Sequence, residues 1–137
     1  MNNLHKLKFA VCAFVLAGAV NVAYADVVVV VSAKSSTTTM TAEEISQIYL
    51  GKSKAMKPVE TSGSPTRTQF YSKVAGKDEA QVKAIWSKLL FTGKATAPKE
   101  LPTSADVVKA VAADPNAIGY IDKSSVDSTV KVVYTVP

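Results

Sequence analysis

The stretch that decides the fold is Val27-Val28-Val29-Val30-Val31, five consecutive valines followed by Ser32. β-Branched residues favour strands, and a run that is apolar at every position is typical of a strand covered on both faces. The run therefore predicts a fully buried central strand. Helical patterns and further short strand-like segments follow along the chain, which indicates an α/β fold with one mixed β-sheet flanked by helices.

Capping residues and apolar spacing predict four helices. A capping box at Thr41 begins the first helix, Pro65 suits the first turn of the second, and the fourth begins at Thr103 or Ser104. The third helix has the clearest amphipathic pattern, with apolar residues at i, i+3, i+4, i+7 and i+8. These residues are Val82, Ile85, Trp86, Leu89 and Leu90.

Three more segments have the character of strands. They are residues 56–60, 117–121 and 130–136. Residues 95–102 are polar and contain two prolines, so we expect a connection there without regular structure. No internal repeat is visible, and the length indicates one domain after the N-terminal segment.

The first 25 residues have the three marks of a secretory signal peptide. Lys6 and Lys8 precede an apolar run at residues 9–20, and Ala23-Tyr24-Ala25 offers small residues at the positions that a signal peptidase reads. The run is too short to span a bilayer as a helix, and no stop-transfer charges follow it. We therefore expect cleavage after Ala25 and no stable membrane insertion afterwards, with a membrane anchor as the alternative.

Removal of residues 1–25 would also remove His5 and Cys12, the only histidine and the only cysteine. The remaining 112 residues then have no Ser–His or Cys–His pair for nucleophilic catalysis and no ordinary zinc or copper ligand set. We expect no enzyme, no metal and no cofactor. The remaining net charge of +3 is dispersed, which argues against a nucleic-acid partner.

The segment Ser62-Gly63-Ser64-Pro65-Thr66-Arg67 lies at the predicted start of the second helix. Unpaired backbone N–H groups and the positive dipole end make such a position suited to an oxyanion. The hydroxyls of Ser64 and Thr66 can add donors, and Arg67 can add a planar, two-pronged donor. The alternative is structural: Ser64 only caps the helix and Arg67 is solvated.

A second set of hydroxyls follows the valine strand, in residues 35–39. Open α/β sheets bind ligands at the carboxyl ends of their strands. Ser36, Thr37 and Thr38 are therefore candidates for a second loop of donors that converges on the same anion. A polar surface loop with no role in binding is the alternative.

Four segments, in order, resemble the second lobe of periplasmic phosphate-binding proteins of ABC transporters. The loop from Gly63 to Phe70 is similar to that family's phosphate-loop pattern, G-S-G-T-R-x-x-F. The other three segments are residues 40–52, Phe91-Thr92-Gly93-Lys94 and Ala117-Ile118-Gly119-Tyr120. Together they extend over nearly all of residues 26–137, and the chain most resembles the short, stand-alone substrate-binding members.

The resemblance implies a single periplasmic-binding-protein-like lobe over residues 26–137, exported to the periplasm and linked to phosphate uptake. It implies that Ser64 and Thr66 occupy phosphate-contacting positions and that Arg67 matches the arginine of the pattern. Pro65 replaces the second glycine of the pattern, which removes one backbone donor.

Full-size members of that family have two lobes that close over the anion, whereas one lobe is expected here. Two functions therefore stay open. The first is a binding module for phosphate or a similar oxyanion, which serves an ABC permease or is completed by a second lobe or copy. The second is an exported interaction or scaffold protein that has kept one lobe without high-affinity anion binding.

Overall fold

The computed structural model describes residues 26–62, 64–93 and 97–137. The predicted signal peptide and Gly63 lie outside the described residues. A five-stranded mixed sheet forms the centre of the fold. Its strands are β1 (Val27–Ser32), β2 (Lys57–Thr61), β3 (Lys99–Leu101), β4 (Ala117–Asp122) and β5 (Val130–Thr135).

The strands lie side by side in the order β3-β2-β4-β1-β5. Strand β1 is antiparallel to both of its neighbours, β4 and β5. Strand β2 is parallel to β3 and β4. The sheet is therefore mixed, and the α/β class predicted from the sequence is confirmed.

The valines of β1 face two separate layers of the core. Val27, Val29 and Val31 pack among the aromatic side chains on one face of the sheet, whereas Val28 and Val30 pack with the aliphatic side chains on the other. All five are at most 1% exposed. The predicted fully buried strand is confirmed, because successive strand side chains point to opposite faces and both faces are covered.

Four helices cover the two faces of the sheet. They are α1 (Ala42–Tyr49), α2 (Pro65–Phe70), α3 (Glu79–Phe91) and α4 (Ser104–Ala113), and α2 continues directly into a π-helical turn, Tyr71–Ala75. The capping box at Thr41 is present, and Pro65 stands in the first turn of α2 as predicted. Thr103 caps α4 by accepting from the Asp106 backbone N–H. None of the helices that the structure describes is both long enough and apolar enough to cross a membrane.

Two expectations about the region around α3 are wrong. The segment expected to lack regular structure contains β3, which pairs with β2 through backbone hydrogen bonds and has no apolar pattern. Leu90 does not lie on the buried side of α3 but is 52% exposed, and Phe91 beside it is 94% exposed. Of the predicted apolar face, the helix buries Val82 and Trp86, and Ile85 and Leu89 pack partly against the same core.

The two ends of the sheet carry different residues, because β1 runs opposite to β2. Val31, near the end of β1, pairs with Ile118, which also pairs with Pro58 near the start of β2. We call the end where β2, β3 and β4 finish the carboxyl edge, marked by Thr61, Leu101 and Asp122. The opposite end, where β2 begins at Lys57 beside Ala117 of β4, is the amino edge.

Candidate functional site

The first turn of α2 lies at the carboxyl edge, directly after β2. Ser64 has an extended backbone and caps the helix, with its Oγ accepting from the Arg67 backbone N–H at 3.3 Å. The same Oγ lies 2.9 Å from Thr61 Oγ1. The predicted capping role of Ser64 is confirmed, and its hydroxyl is held beside the end of the strand.

Thr66 and Arg67 follow within the same turn. Thr66 is buried. The Arg67 guanidinium donates from Nη1 to Glu100 Oε1 at 2.9 Å, and its Nη2 lies 3.5 Å from Glu60 Oε1. The Arg67 side chain is only 18% exposed and stacks over the Tyr71 ring. The structural alternative expected a solvated Arg67. That expectation is wrong, because two carboxylates hold the guanidinium.

Glu60 is the residue that sequence reasoning missed. It lies on the aromatic face of β2, and its side chain is 3% exposed. Its Oε2 accepts from the Tyr71 hydroxyl at 2.6 Å and from the Tyr120 hydroxyl at 3.1 Å, while its Oε1 faces Arg67. The signal that could have found it is a glutamate within a strand-like segment, because carboxylates are almost never buried unless paired.

Burial raises the pKa of Glu60, and the opposing effects of the Tyr71 hydroxyl, the Arg67 charge and the Tyr120 hydroxyl offset only part of this rise. Burial and the nearby Glu60 charge also raise the pKa of both Tyr71 and Tyr120, so their hydroxyls stay protonated and donate. Burial lowers the pKa of Arg67, but the Glu60 and Glu100 carboxylates outweigh this and raise it overall. Arg67, Tyr71 and Tyr120 therefore favour the ionised form of Glu60. Glu60 in turn favours the charged guanidinium and the protonated tyrosine hydroxyls.

The charges of this cluster decide what the site can attract. Arg67 contributes one positive charge, and Glu60 and Glu100 contribute two negative charges when both are ionised. An arriving anion therefore meets a guanidinium that is already paired. Pro65 has no backbone N–H, and those of Arg67 and Thr68 already donate to Ser64. The groups best placed to receive the anion are therefore the backbone N–H groups of Ser64 and Thr66 and the hydroxyls of the same two residues.

The second loop does not converge on this site. Ser36, Thr37 and Thr38 follow the carboxyl end of β1, which lies at the amino edge because β1 is antiparallel to β4. There the Thr37 backbone N–H donates to Ser35 Oγ at 3.2 Å, and Lys131 Nζ donates to the Ser35 carbonyl. Convergence would require β1 to run in the same direction as β2. In the structure β1 is antiparallel to β4, which is parallel to β2.

Among the described residues, no group of three or more histidine, cysteine, aspartate or glutamate side chains could hold a metal ion.

A scan against models of protein families finds no match, and a search of curated proteins finds none either. Solved structures do match. A protein from Clostridium perfringens named as a phosphate ABC transporter substrate-binding protein, with bound phosphate, has a TM-score of 0.63 and 23% identity. The match covers 79% of this chain and 44% of that one.

Two further structures match over the same 79% of this chain. An ABC-type phosphate transport receptor from Vibrio cholerae has a TM-score of 0.60 and 21% identity, with 45% of its chain covered. PstS from Borrelia burgdorferi has a TM-score of 0.59 and 13% identity, with 46% covered. This chain has the fold found in these phosphate-binding proteins. It spans less than half of their length, consistent with a single lobe, so the resemblance read from the sequence is confirmed at the level of the fold.

Proposed function

We propose that this protein is an exported solute-binding module that binds phosphate or a similar oxyanion at the start of α2. One observation carries the proposal. The first turn of α2, with Ser64 and Thr66, directly follows β2 at the carboxyl edge of a fold shared with a structure that holds bound phosphate. Ligands of open α/β sheets bind at this edge.

Each proposed site residue has its own role. The backbone N–H groups and the hydroxyls of Ser64 and Thr66 donate to the anion. Gly63, which lies outside the described residues, is proposed to let the backbone approach the anion closely. Arg67 adds a charge-assisted donor when the anion displaces Glu100 from its Nη1. Because this displacement costs an ion pair, we expect modest affinity.

The proposal extends to location and partners. The protein is exported through the signal peptide at residues 1–25, acts in the periplasm and serves phosphate uptake by an ABC permease. A second lobe or a second copy would cover the open side of the site and exclude water from the anion. Cell fractionation followed by N-terminal sequencing tests the first part, and a mature chain that begins at Asp26 is the expected result.

The binding experiment is isothermal titration of phosphate, then sulfate, into the purified protein at low salt. We expect saturable phosphate binding that weakens at least several-fold in Thr66→Val, which removes a hydroxyl while keeping the shape of the side chain. Thr38→Val is the matched control, because it removes a hydroxyl at the amino edge. A folded wild-type protein that gives no heat with either anion contradicts the proposal.

A second candidate function is an interaction or scaffold protein that has kept the lobe without binding anions tightly. The pairing of Arg67 with Glu60 and Glu100 favours it, because the guanidinium then has a structural role already. Under this alternative, Thr66→Val and Thr38→Val behave alike. Neither anion then protects the protein against thermal unfolding.

A further inference from the structure

A cleft of about 730 Å³ lies at the amino edge, at the opposite end of the sheet from the first turn of α2. The segment between α1 and β2 forms one wall, Trp86 of α3 contributes to another, and Ala110 and Ala113 of α4 contribute to a third. Its volume is within the range of pockets that bind small molecules. None of the residues proposed to bind phosphate lines it.

The cleft exists because β3 is short. β3 pairs with β2 only from Val59 onward, so among the described residues Lys57 and Pro58 have no strand beside them on that side. The Lys57 backbone N–H donates to the Asn116 carbonyl, on the β4 side. Backbone groups of successive strand residues point to opposite sides, so the Pro58 nitrogen faces the cleft. Proline has no N–H to donate there.

This open side of β2 is a poor template for an added strand, because Pro58 lacks the backbone N–H that would donate to that strand. The occupant that fits is a small molecule rather than an extended peptide. The lining gives its chemistry. Apolar side chains at Ile48, Met56 and Trp86 line the cleft together with three lysines and one aspartate.

The lysines give the cleft a positive character. Lys57 is paired with Asp114 at 3.4 Å. Within the described part of the chain, Lys54 and Lys99 have no carboxylate within salt-bridge distance, and both are exposed. Two unpaired cations beside an apolar wall complement a molecule that has one acidic group and an apolar body.

We propose that this cleft binds a small organic anion with an aromatic or similarly bulky apolar body and one carboxylate or sulfonate group. The body contacts Met56 and Trp86, and the acidic group lies among Lys54 and Lys99. Inorganic phosphate lacks the apolar body and is not a ligand here. This second site is independent of the proposed phosphate site at the carboxyl edge.

The sequence supplies its own reporter, because Trp86 is the only tryptophan and lines the cleft. The probe is 8-anilinonaphthalene-1-sulfonate, which has an apolar aromatic body and one sulfonate. Titration into the purified protein should quench Trp86 emission and transfer energy to the dye with saturable, single-site behaviour. The uncharged analogue N-phenyl-1-naphthylamine should bind at least about threefold more weakly.

Charge reversal at Lys54 and Lys99 is the decisive test of the proposal. The double variant Lys54→Glu/Lys99→Glu should weaken dye binding at least about fivefold, because attraction becomes repulsion at two positions. Both side chains are exposed, so the fold should be retained, and circular dichroism checks this. Lys73→Glu/Lys83→Glu is the control for overall charge, since both lysines are exposed and neither lines the cleft.

Two results would overturn the proposal. One is a Lys54→Glu/Lys99→Glu affinity for the dye that equals that of the wild type or of the Lys73→Glu/Lys83→Glu control. The other is loss of the dye signal in Phe91→Ser with no effect of the double variant, which would place the dye on the exposed side chains of Leu90 and Phe91. Inorganic phosphate should not displace the dye from the wild-type protein, whether or not phosphate binds at the carboxyl edge.

Discussion

The two edges of the sheet carry charged residues that are used in opposite ways. At the carboxyl edge, Arg67 contacts Glu60 and Glu100, and two tyrosine hydroxyls complete the cluster. The cleft at the amino edge is lined by Lys54 and Lys99, which have no carboxylate partner within the described residues. Burial makes the difference: the Glu60 side chain is 3% exposed, whereas Lys54 and Lys99 are both exposed.

The comparison teaches which charges belong to the fold and which are available to a ligand. A buried carboxylate needs its partners, because the charge would otherwise be desolvated without compensation. An exposed lysine needs none, because water solvates it. Substitutions in the buried Glu60 cluster at the carboxyl edge should therefore lower stability, whereas substitutions of the exposed lysines around the cleft should change binding alone.

The largest expected effect is that of Arg67→Ala at the carboxyl edge. It leaves Glu60 buried without its cation, and we expect a loss of about 3 kcal/mol in the free energy of unfolding, measured by urea denaturation. Adding Glu60→Gln to this variant should recover part of the loss. Lys57→Ala at the amino edge is the matched control and should leave the unfolding midpoint unchanged. Equal effects of Arg67→Ala and Lys57→Ala would remove the distinction between the edges.

Tyr71→Phe tests the same cluster by removing one hydroxyl. The hydroxyl donates to Glu60 Oε2 at 2.6 Å, so its loss should cost about 2 kcal/mol of stability. Tyr134→Phe is the control, because Tyr134 lies half-buried on β5, away from Glu60. If both variants lose the same amount, the Tyr71 hydroxyl has no special role in holding the carboxylate.

Ser64→Ala should have a smaller effect, about 1 kcal/mol, because it removes the side-chain cap of α2. Thermal unfolding followed by circular dichroism measures it. Ser36→Ala in the loop at the amino edge should change nothing, since Ser36 is exposed. An unaffected Ser64→Ala variant would show that the first turn of α2 is held by other contacts.

The smallest expected effect is a pH dependence. The pKa of Glu60 is raised in the folded protein, so the folded state binds its proton more tightly than the unfolded state does. Stability should therefore fall as pH rises from the ordinary glutamate value of about 4.3 through the raised pKa, and then level off. The difference in unfolding free energy between wild type and Glu60→Gln isolates this contribution. A difference that stays constant over that window would contradict the burial argument.

Much of the fold could be predicted because its signals are local. Five valines in a row specify β1, and a Thr-x-x-Glu capping box specifies the start of α1. Strand β3 could not be predicted, because its Lys-Glu-Leu sequence has no apolar pattern and it pairs only through its backbone. Local patterns identify elements, but pairing between elements depends on partners far away in the sequence.

The candidate site shows the same division. Ser64 and Pro65 were identified by their position before a helical pattern, and the structure places them there. Glu60 was missed, because its significance comes from Tyr120, 60 residues away, and from Arg67 on the next element. The second loop, with Ser36, Thr37 and Thr38, was assigned to the wrong edge, because no local pattern reveals that β1 is antiparallel to its neighbours.

The most direct test of the account is isothermal titration of phosphate into wild type and Glu100→Ala under identical low-salt conditions. Glu100 Oε1 accepts from Arg67 Nη1 at 2.9 Å, and Glu100 is half exposed. Its removal therefore frees Nη1 and removes a negative charge that would repel phosphate, without disturbing the core. We predict phosphate affinity about threefold to fivefold higher in Glu100→Ala, with no change in Glu43→Ala at the start of α1. Unchanged or weaker phosphate binding in Glu100→Ala would contradict the assignment of an oxyanion site to the carboxyl edge.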